Sequence, residues 1–361
     1  MRSWKKWLGI VFVVLAIVVL LFAIRFVRAT SLFRTIEEVD ASCRVIQAVP
    51  GPEDIVIDRA RGFAFVSATN RRILMAGGKP SARLRGGIYL IDLNAPPDQW
   101  TLVPVTPSSP ESFRPHGLGL FIDRQGTRSL FVVNHPVGGA DEVVILDVDG
   151  QGRLSHRRTV SDPLMVNLND VQPVGSEHFY ATNDHASGTS AALQDVFMLD
   201  RTTLVYFDGS RARVVAAGLT YANGVNVSPD GSEVYVAETL DRVLRVYSRE
   251  IESGALELTD VVKLDTSGDN IDVLENGDLL VGAHPKILDF ANHAENPDVL
   301  SPSQVVRVSR NESGDWSVRT LYLDKGDAIS GVAVAAGYRD MMLLGPVFQS
   351  RIMVCSQNGA R

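Results

Sequence analysis

Cysteine is scarce: the 361-residue chain has two, Cys43 and Cys355. That leaves no Cys/His pattern of the kind that holds structural zinc. No Gly-x-Ser-x-Gly elbow occurs, so a serine-hydrolase mechanism has no support. No phosphate-cradling glycine loop occurs either. Beyond residue 40 no sustained helical periodicity is found. An excess of positive charge is missing too. The net charge is −7, and the first 28 residues carry five basic and no acidic side chains, which leaves −12 on the rest. An acidic body argues against nucleic acid as partner. What remains is ordinary globular material, 45% hydrophobic and 21% charged, enough for a large core. The length allows two domains or one large β domain.

The N-terminus carries the one long apolar run. Trp7 to Ile24 reads WLGIVFVVLAIVVLLFAI, without a charge. At the helical rise this is about 27 Å, just enough to cross a bilayer core. Arg2, Lys5 and Lys6 precede it and favour a cytoplasmic N-terminus, a bias that Arg25 and Arg28 weaken. Phe26-Val27-Arg28-Ala29 is a poor cleavage site. An uncleaved signal-anchor over residues 1–28 is expected, then a linker over 29–42 and a body over 43–361. The body is expected outside the cytoplasm, secreted if the segment is cleaved. In such a compartment Cys43 and Cys355 are expected to form a disulfide between the chain ends; two buried free thiols are the alternative.

Six stretches of the body resemble one another. They begin at Glu53, His116, Asn169, Asn223, Asn270 and Ser330, each opening on a polar residue, followed by a short strand, a turn and a second β-rich strand. SPDGSEVYVAE, at 228–238, shows the hairpin chemistry best, with Pro and Asp-Gly at the reversal and Val-Tyr-Val behind it. Repeats at this spacing with four strands per unit predict an all-β, six-bladed β-propeller preceded by the N-terminal helix.

In a propeller the innermost strands line one channel, so the six starts converge. Asp54, Asp170 and Asp269 stand beside them. Buried carboxylates and unbonded amides are costly, and no Lys or Arg occupies these positions. A hard cation held by oxygen donors relieves that cost, and six to eight oxygens suit calcium. A hydrogen-bonded polar channel without metal is the alternative.

At the level of motifs the body resembles the paraoxonase/arylesterase family of calcium-dependent lactonases and esterases. The matching stretches are PEDI (52–55), FRPHGL (113–118), VVNHP (132–136), NLNDV (167–171), HFYATNDH (178–185), YANGVNVSPDG (221–231), DNIDV (269–273), GAHP (282–285) and GPVF (345–348). The resemblance implies a six-bladed propeller with two calcium ions and a disulfide between the chain ends. It implies a catalytic calcium held by Glu53, Asn169, Asn223, Asp269 and Asn270, and a structural one held by Asp54, Asp170 and the Leu118 carbonyl. It implies His116 and His135 as a catalytic pair supported by Asp184. His156, His178 and His293 are expected to be structural. Ala283 stands where family members often have a cysteine, so no thiol is expected to act.

Tyr221, Phe348 and His284 are expected to contact substrate, with Phe290 a further wall. The loops 69–87, 186–204 and 286–300 are expected to set substrate choice. A small-molecule lactone or aryl ester is the expected substrate, and the membrane the other partner. The alternatives are a gluconolactonase-type propeller with an acidic base, a metal-independent strictosidine-synthase-like propeller, and a calcium-stabilised binding module without catalysis.

Overall fold

The computed structural model describes residues 2–75, 85–108 and 110–357. Helix α1 (Arg2–Thr30) is long and apolar enough to cross a membrane and is exposed along its apolar length. The body beyond it is a six-bladed propeller of four-stranded antiparallel sheets. Blade one runs from β2 (Pro52–Asp58) to β5 (Val103–Pro104), and blade two from β6 (Pro115–Ile122) to β9 (Leu154–Val160). Blade three runs from β10 (Leu168–Pro173) to β13 (Ala212–Leu219), and blade four from β14 (Ala222–Val227) to β17 (Leu256–Lys263). Blade five runs from β18 (Ser267–Val273) to β21 (Trp316–Asp324). Blade six joins β22 (Val332–Tyr338), β23 (Met341–Pro346) and β24 (Arg351–Ser356) to β1 (Cys43–Gln47) from the other end of the body.

That last sheet closes the ring. Strand β1 pairs antiparallel with β24 from Cys43↔Cys355 to Gln47↔Arg351. The two cysteines face each other in register and form the disulfide expected from the sequence. Each innermost strand packs against the next, and β22 packs against β2.

The blades explain why second strands read as continuous apolar runs. In β7 (Arg128–Asn134), Leu130, Phe131, Val132 and Val133 are all fully buried. Leu130 and Val132 enter a core with Phe65 and Ile88 of blade one. Phe131 and Val133 enter a core with Phe179 and Val205 of blade three. Side chains alternate in a strand as usual, but both faces meet a neighbouring blade. The SPDG turn forms as expected: Gly231 has φ +74, its N–H bonds Ser228 O, and Asp230 accepts from the Ser228 and Ser232 hydroxyls.

All six inner strands share one irregularity. Register shifts fall between Pro52 and Asp54, Pro115 and Leu118, Leu168 and Val171, Ala222 and Val225, Gly268 and Ile271, and Val332 and Val334. Each is a β-bulge that inserts one residue, and a bulge re-aims the side chains it carries. Glu53, His116, Asn169, Asp170, Asn223, Asp269 and Asn270 all lie within these bulges. The sixth bulge carries Ala333. Ser330, expected as the sixth ring member, lies before the strand; its hydroxyl bonds Gly326 O and its N–H bonds Gln349.

Among the described residues, three short α-helices interrupt the blades: α2 (Arg71–Met75), α3 (Ala191–Phe197) and α4 (Ile287–Glu295). At five to nine residues they are too short for a periodic signature in sequence. They fall in the three loops expected to surround the site; residues 76–84 of the first loop lie outside the described residues.

Candidate active site

The bulges gather a buried polar cluster. Glu53, Asn169, Asn223, Asp269 and Asn270 are each at most 5% exposed. The three asparagines are bonded alike, each through its amide nitrogen. The Asn169 amide nitrogen donates to Asp184 at 3.2 Å, that of Asn223 to Thr239 at 3.1 Å, and that of Asn270 to Glu53 Oε1 at 2.9 Å. Their three Oδ1 atoms are buried without a hydrogen-bond donor among the described residues. An unsatisfied buried acceptor costs about 1–3 kcal/mol, so each of the three gains from a cation or donor. Among the described residues, no three His, Cys, Asp or Glu side chains converge closely enough to hold a metal ion by themselves, so a cation here would depend on the amide oxygens. The donor set is carboxylate and amide oxygen, and it fits a hard cation such as calcium.

A second layer lies beneath. Asp54 accepts from the N–H groups of Ile55 (2.8 Å) and Leu118 (2.6 Å). Asp170 accepts in the same way from Val171 (2.7 Å) and Val225 (2.8 Å). Each carboxylate stitches its own strand to the next blade. Burial raises the Asp54 carboxyl well above its ordinary range, reinforced by Asp170. Burial raises Asp170 to about 7. Glu53 is also raised to about 7, by burial first, with Arg71 opposing.

Arg71 brings to these acids the basic side chain that the six strand starts lack. It opens α2, and its guanidinium lies 3.3 Å from Glu53 Oε2 and 3.3 Å from Gly51 O. It comes from a loop, not from an inner strand, so the repeat alignment could not show it.

The histidine pair forms. His116 Nδ1 and His135 Nε2 are 3.0 Å apart, and His116 Nε2 lies 3.6 Å from Glu53 Oε2. The acid behind the pair is Asp141, whose Oδ1 lies 2.8 Å from His135 Nδ1. Its other oxygen accepts from Leu168 N–H at 2.8 Å. Asp184, expected in that role, instead bonds His185 at 2.7 Å and Asn169. The missed signal is local: Asp141 lies six residues after His135, at the start of β8 (Glu142–Val148), and so shares its loop. Burial lowers the His116 imidazole well below its ordinary value, helped by Arg71 and His135. His185 bridges Asp184 and Asp195 of α3; against the effect of burial, the two carboxylates raise it to about 10.

The walls are aromatic. His284 bonds Asp269 at 2.8 Å and stacks on Phe290 at 3.8 Å. Phe290 meets Phe348 at 5.7 Å, and Arg72 lies over the Phe348 ring at 4.6 Å. Tyr221 sets its ring edge-on to His185 at 4.9 Å. Tyr221 also packs, with Phe26 and Ile287, against Ala29, Met198 and Leu240, so the base of α1 stands beside this mouth. Phe22 of α1 contacts Phe197 of α3 at 5.8 Å. Of the expected structural histidines, His293 is buried and bonds Val299 O, while His156 bonds Thr159.

Comparison with known proteins agrees with this architecture. The Arylesterase family profile matches residues 36–356. Human serum paraoxonase/arylesterase 1 is 35% identical, covering 86% of this chain and 88% of its own. Serum paraoxonase/lactonase 3 of Oryctolagus cuniculus is 33% identical, covering 86% and 88%. Among solved structures, a luciferin-regenerating enzyme superposes with TM-score 0.56 at 12% identity, covering 88% of this chain and 96% of its own. The calcium-binding protein regucalcin from Agrobacterium tumefaciens gives 0.51 at 12%, covering 87% and 93%. At such identities the two structures speak for the fold alone.

Proposed function

The chain belongs to the arylesterase family, and from that membership we propose that it is a calcium-dependent carboxylic ester hydrolase acting on lactones and aryl esters. The observation that carries the calcium reading is the trio of buried amide oxygens on Asn169, Asn223 and Asn270 that have no donor among the described residues. Together with Glu53 and Asp269 they would hold the catalytic ion. Asp54, Asp170 and the Leu118 carbonyl would hold a second, structural one. When bound, calcium supplies Lewis-acid polarisation of the substrate carbonyl.

The proton chemistry belongs to the histidines. The Asp141 carboxylate only accepts, so His135 carries its proton on Nδ1. Its Nε2 lone pair then accepts from His116 Nδ1–H. That leaves the lone pair of His116 Nε2 free and facing Glu53 at the mouth. A neutral imidazole oriented in this way is a general base. His116 Nε2 takes a proton from water as the water oxygen bonds to the acyl carbon. The C–O bond to the leaving alkoxide breaks, and the alkoxide receives that proton, giving a carboxylic acid and an alcohol. In a lactone both remain on one molecule. Asp141 holds the pair's tautomers and offsets the positive charge that develops on it.

Apolar rings around the mouth and the nearby base of α1 support substrates with an apolar acyl chain. The apolar helix and the terminal disulfide support a membrane-anchored protein with its propeller outside the cytoplasm.

The test is hydrolysis of γ- and δ-lactones and phenyl acetate by the full chain in detergent, with calcium and after EDTA. The reading expects activity that disappears with EDTA and returns with calcium. Turnover unchanged by chelation would reject the metal reading. No turnover at all, with calcium still raising the melting temperature, would make the propeller a binding module.

A further inference from the structure

Two adjacent arginines open α2 and do different things. Arg72 turns sideways onto the end of α4. Its guanidinium donates to the carbonyls of His293 and Ala294 and lies over the Phe348 ring. That contact fixes α2 across the mouth. Arg71, its neighbour, turns down into the cluster, its side chain 14% exposed, and pairs with the 3% exposed carboxylate of Glu53. Glu53 therefore has both oxygens engaged. Oε1 accepts from Asn270 at 2.9 Å and Oε2 from Arg71 at 3.3 Å. A cation bound by Glu53 must share that carboxylate with the guanidinium or displace it.

We propose that Arg71 is the resident counter-ion of the cluster, which competes with calcium for Glu53 and so sets the affinity of the site. The inference rests on the calcium reading above, but concerns a residue that lies on no inner strand. Its logic is charge balance. Without a divalent ion, Arg71 is the fixed positive charge paired with Glu53 among the described residues. Arg71 then keeps the Glu53 carboxylate paired. With the ion present, the same guanidinium stands one carboxylate away from a double positive charge, and the repulsion weakens binding. Even in a high-dielectric setting, a unit charge that near a divalent ion is worth more than a factor of ten in affinity. Affinity lowered in this way means that the site fills only where calcium is abundant, as it is outside cells, and exchanges its ion readily.

The experiment is calcium titration by calorimetry on the full-length protein in detergent, comparing wild type with Arg71→Gln and Arg71→Lys. Melting curves in EDTA accompany it. Arg71→Gln is expected to tighten calcium binding at least about tenfold (about 1.4 kcal/mol) and to lower the metal-free melting temperature. Arg71→Lys retains the charge and is expected to stay within about threefold of wild type. A variant affinity equal to or weaker than wild type, with wild type binding calcium, would overturn the role of Arg71 while leaving the metal reading intact. Wild type failing to bind calcium would overturn both. If Arg71→Gln does not fold, wild type alone decides through ¹⁵N NMR of the arginine side chains. Calcium must shift the Arg71 guanidinium signal, and an unmoved signal rejects the competition.

Discussion

Replacing Asp141 by Asn tests the proton relay at the residue the sequence did not reveal. The change removes one charge and almost no volume. Asp141 now accepts twice, from His135 Nδ1–H and from Leu168 N–H, each at 2.8 Å. Asparagine has one acceptor and one donor group at the same two places. If its oxygen keeps Leu168, its NH₂ faces His135 Nδ1 and demands a lone pair there. The proton of His135 then moves to Nε2, which donates to His116 Nδ1. The proton of His116 moves to Nε2, the atom that must act as base. If instead the oxygen keeps His135, the tautomers survive but Leu168 N–H is opposed by an NH₂ group, at about 1–3 kcal/mol. That cost alone makes the working arrangement a minority of roughly one in ten to one in a hundred. Loss of the charge that offsets the imidazolium adds to it, so kcat is expected to fall about 10²–10⁴-fold, the usual range for general-base catalysis. The assay is kcat on a neutral lactone at saturating calcium, with calcium affinity measured in parallel and expected to stay within about twofold. A kcat within about threefold of wild type would refute the relay and place the base elsewhere.

Asp184→Asn should act differently. Asp184 holds the Asn169 amide and His185, so it should weaken calcium binding about tenfold or more and leave kcat at saturating calcium nearly intact, as paired calorimetry and kinetics would show. Metal-free protein should lose stability as pH rises. Glu53 and Asp170 titrate at about 7 when folded and at about 4 when unfolded, so between those values the folded state holds protons that unfolding releases. Melting in EDTA from pH 4.5 to 7.5 should show the decline, and a rise with pH would contradict it. Calcium binding at pH 6 should release protons, read as a heat that depends on the buffer. Cys355→Ser opens a ring closed over a separation of 312 residues. Chain entropy alone puts the loss at about 5–6 kcal/mol, roughly 10 °C in melting temperature. A change below about 2 °C would mean that β1–β24 pairing closes the ring unaided.

The frame of the site was legible in sequence because a propeller writes it repeatedly. Glu53, His116, Asn169 and Asn223 stand at the starts of similar units, so one alignment finds them together. The same reasoning failed wherever the repeat was silent. Arg71 and Asp141 sit in loops outside the units, and loops carry no register. Ser330 satisfied the polar-start rule but precedes β22, because the rule registers a residue type and not the place of the bulge. Asp184 was chosen by resemblance, and only geometry separates an acid behind His135 from one behind Asn169. The short helices escaped because five to nine residues do not complete a period that stands out from coil.

Six bulges, one near the start of each inner strand, explain why these side chains meet at all. A regular strand would send successive residues to opposite faces, but the inserted residue puts Asn169 and Asp170, or Asp269 and Asn270, into a single kink at the channel. The sixth bulge belongs to a blade that contributes no donor. With Ala333 in that position, Asn270 of blade five reaches past blade six to Glu53 of blade one, at 2.9 Å. Such reach requires blade six to be thin. A Cβ on Gly282 would lie 2.2 Å from Ala333 O, and one on Gly345 would lie 2.2 Å from Pro52 O. Both obstacles are backbone, which cannot swing aside as a side chain would. The glycines are therefore part of the site's geometry, though neither lies among its proposed ligands. They set how closely blade five approaches β22 and how closely β23 approaches β2, and so whether Asn270 and Glu53 act on one point.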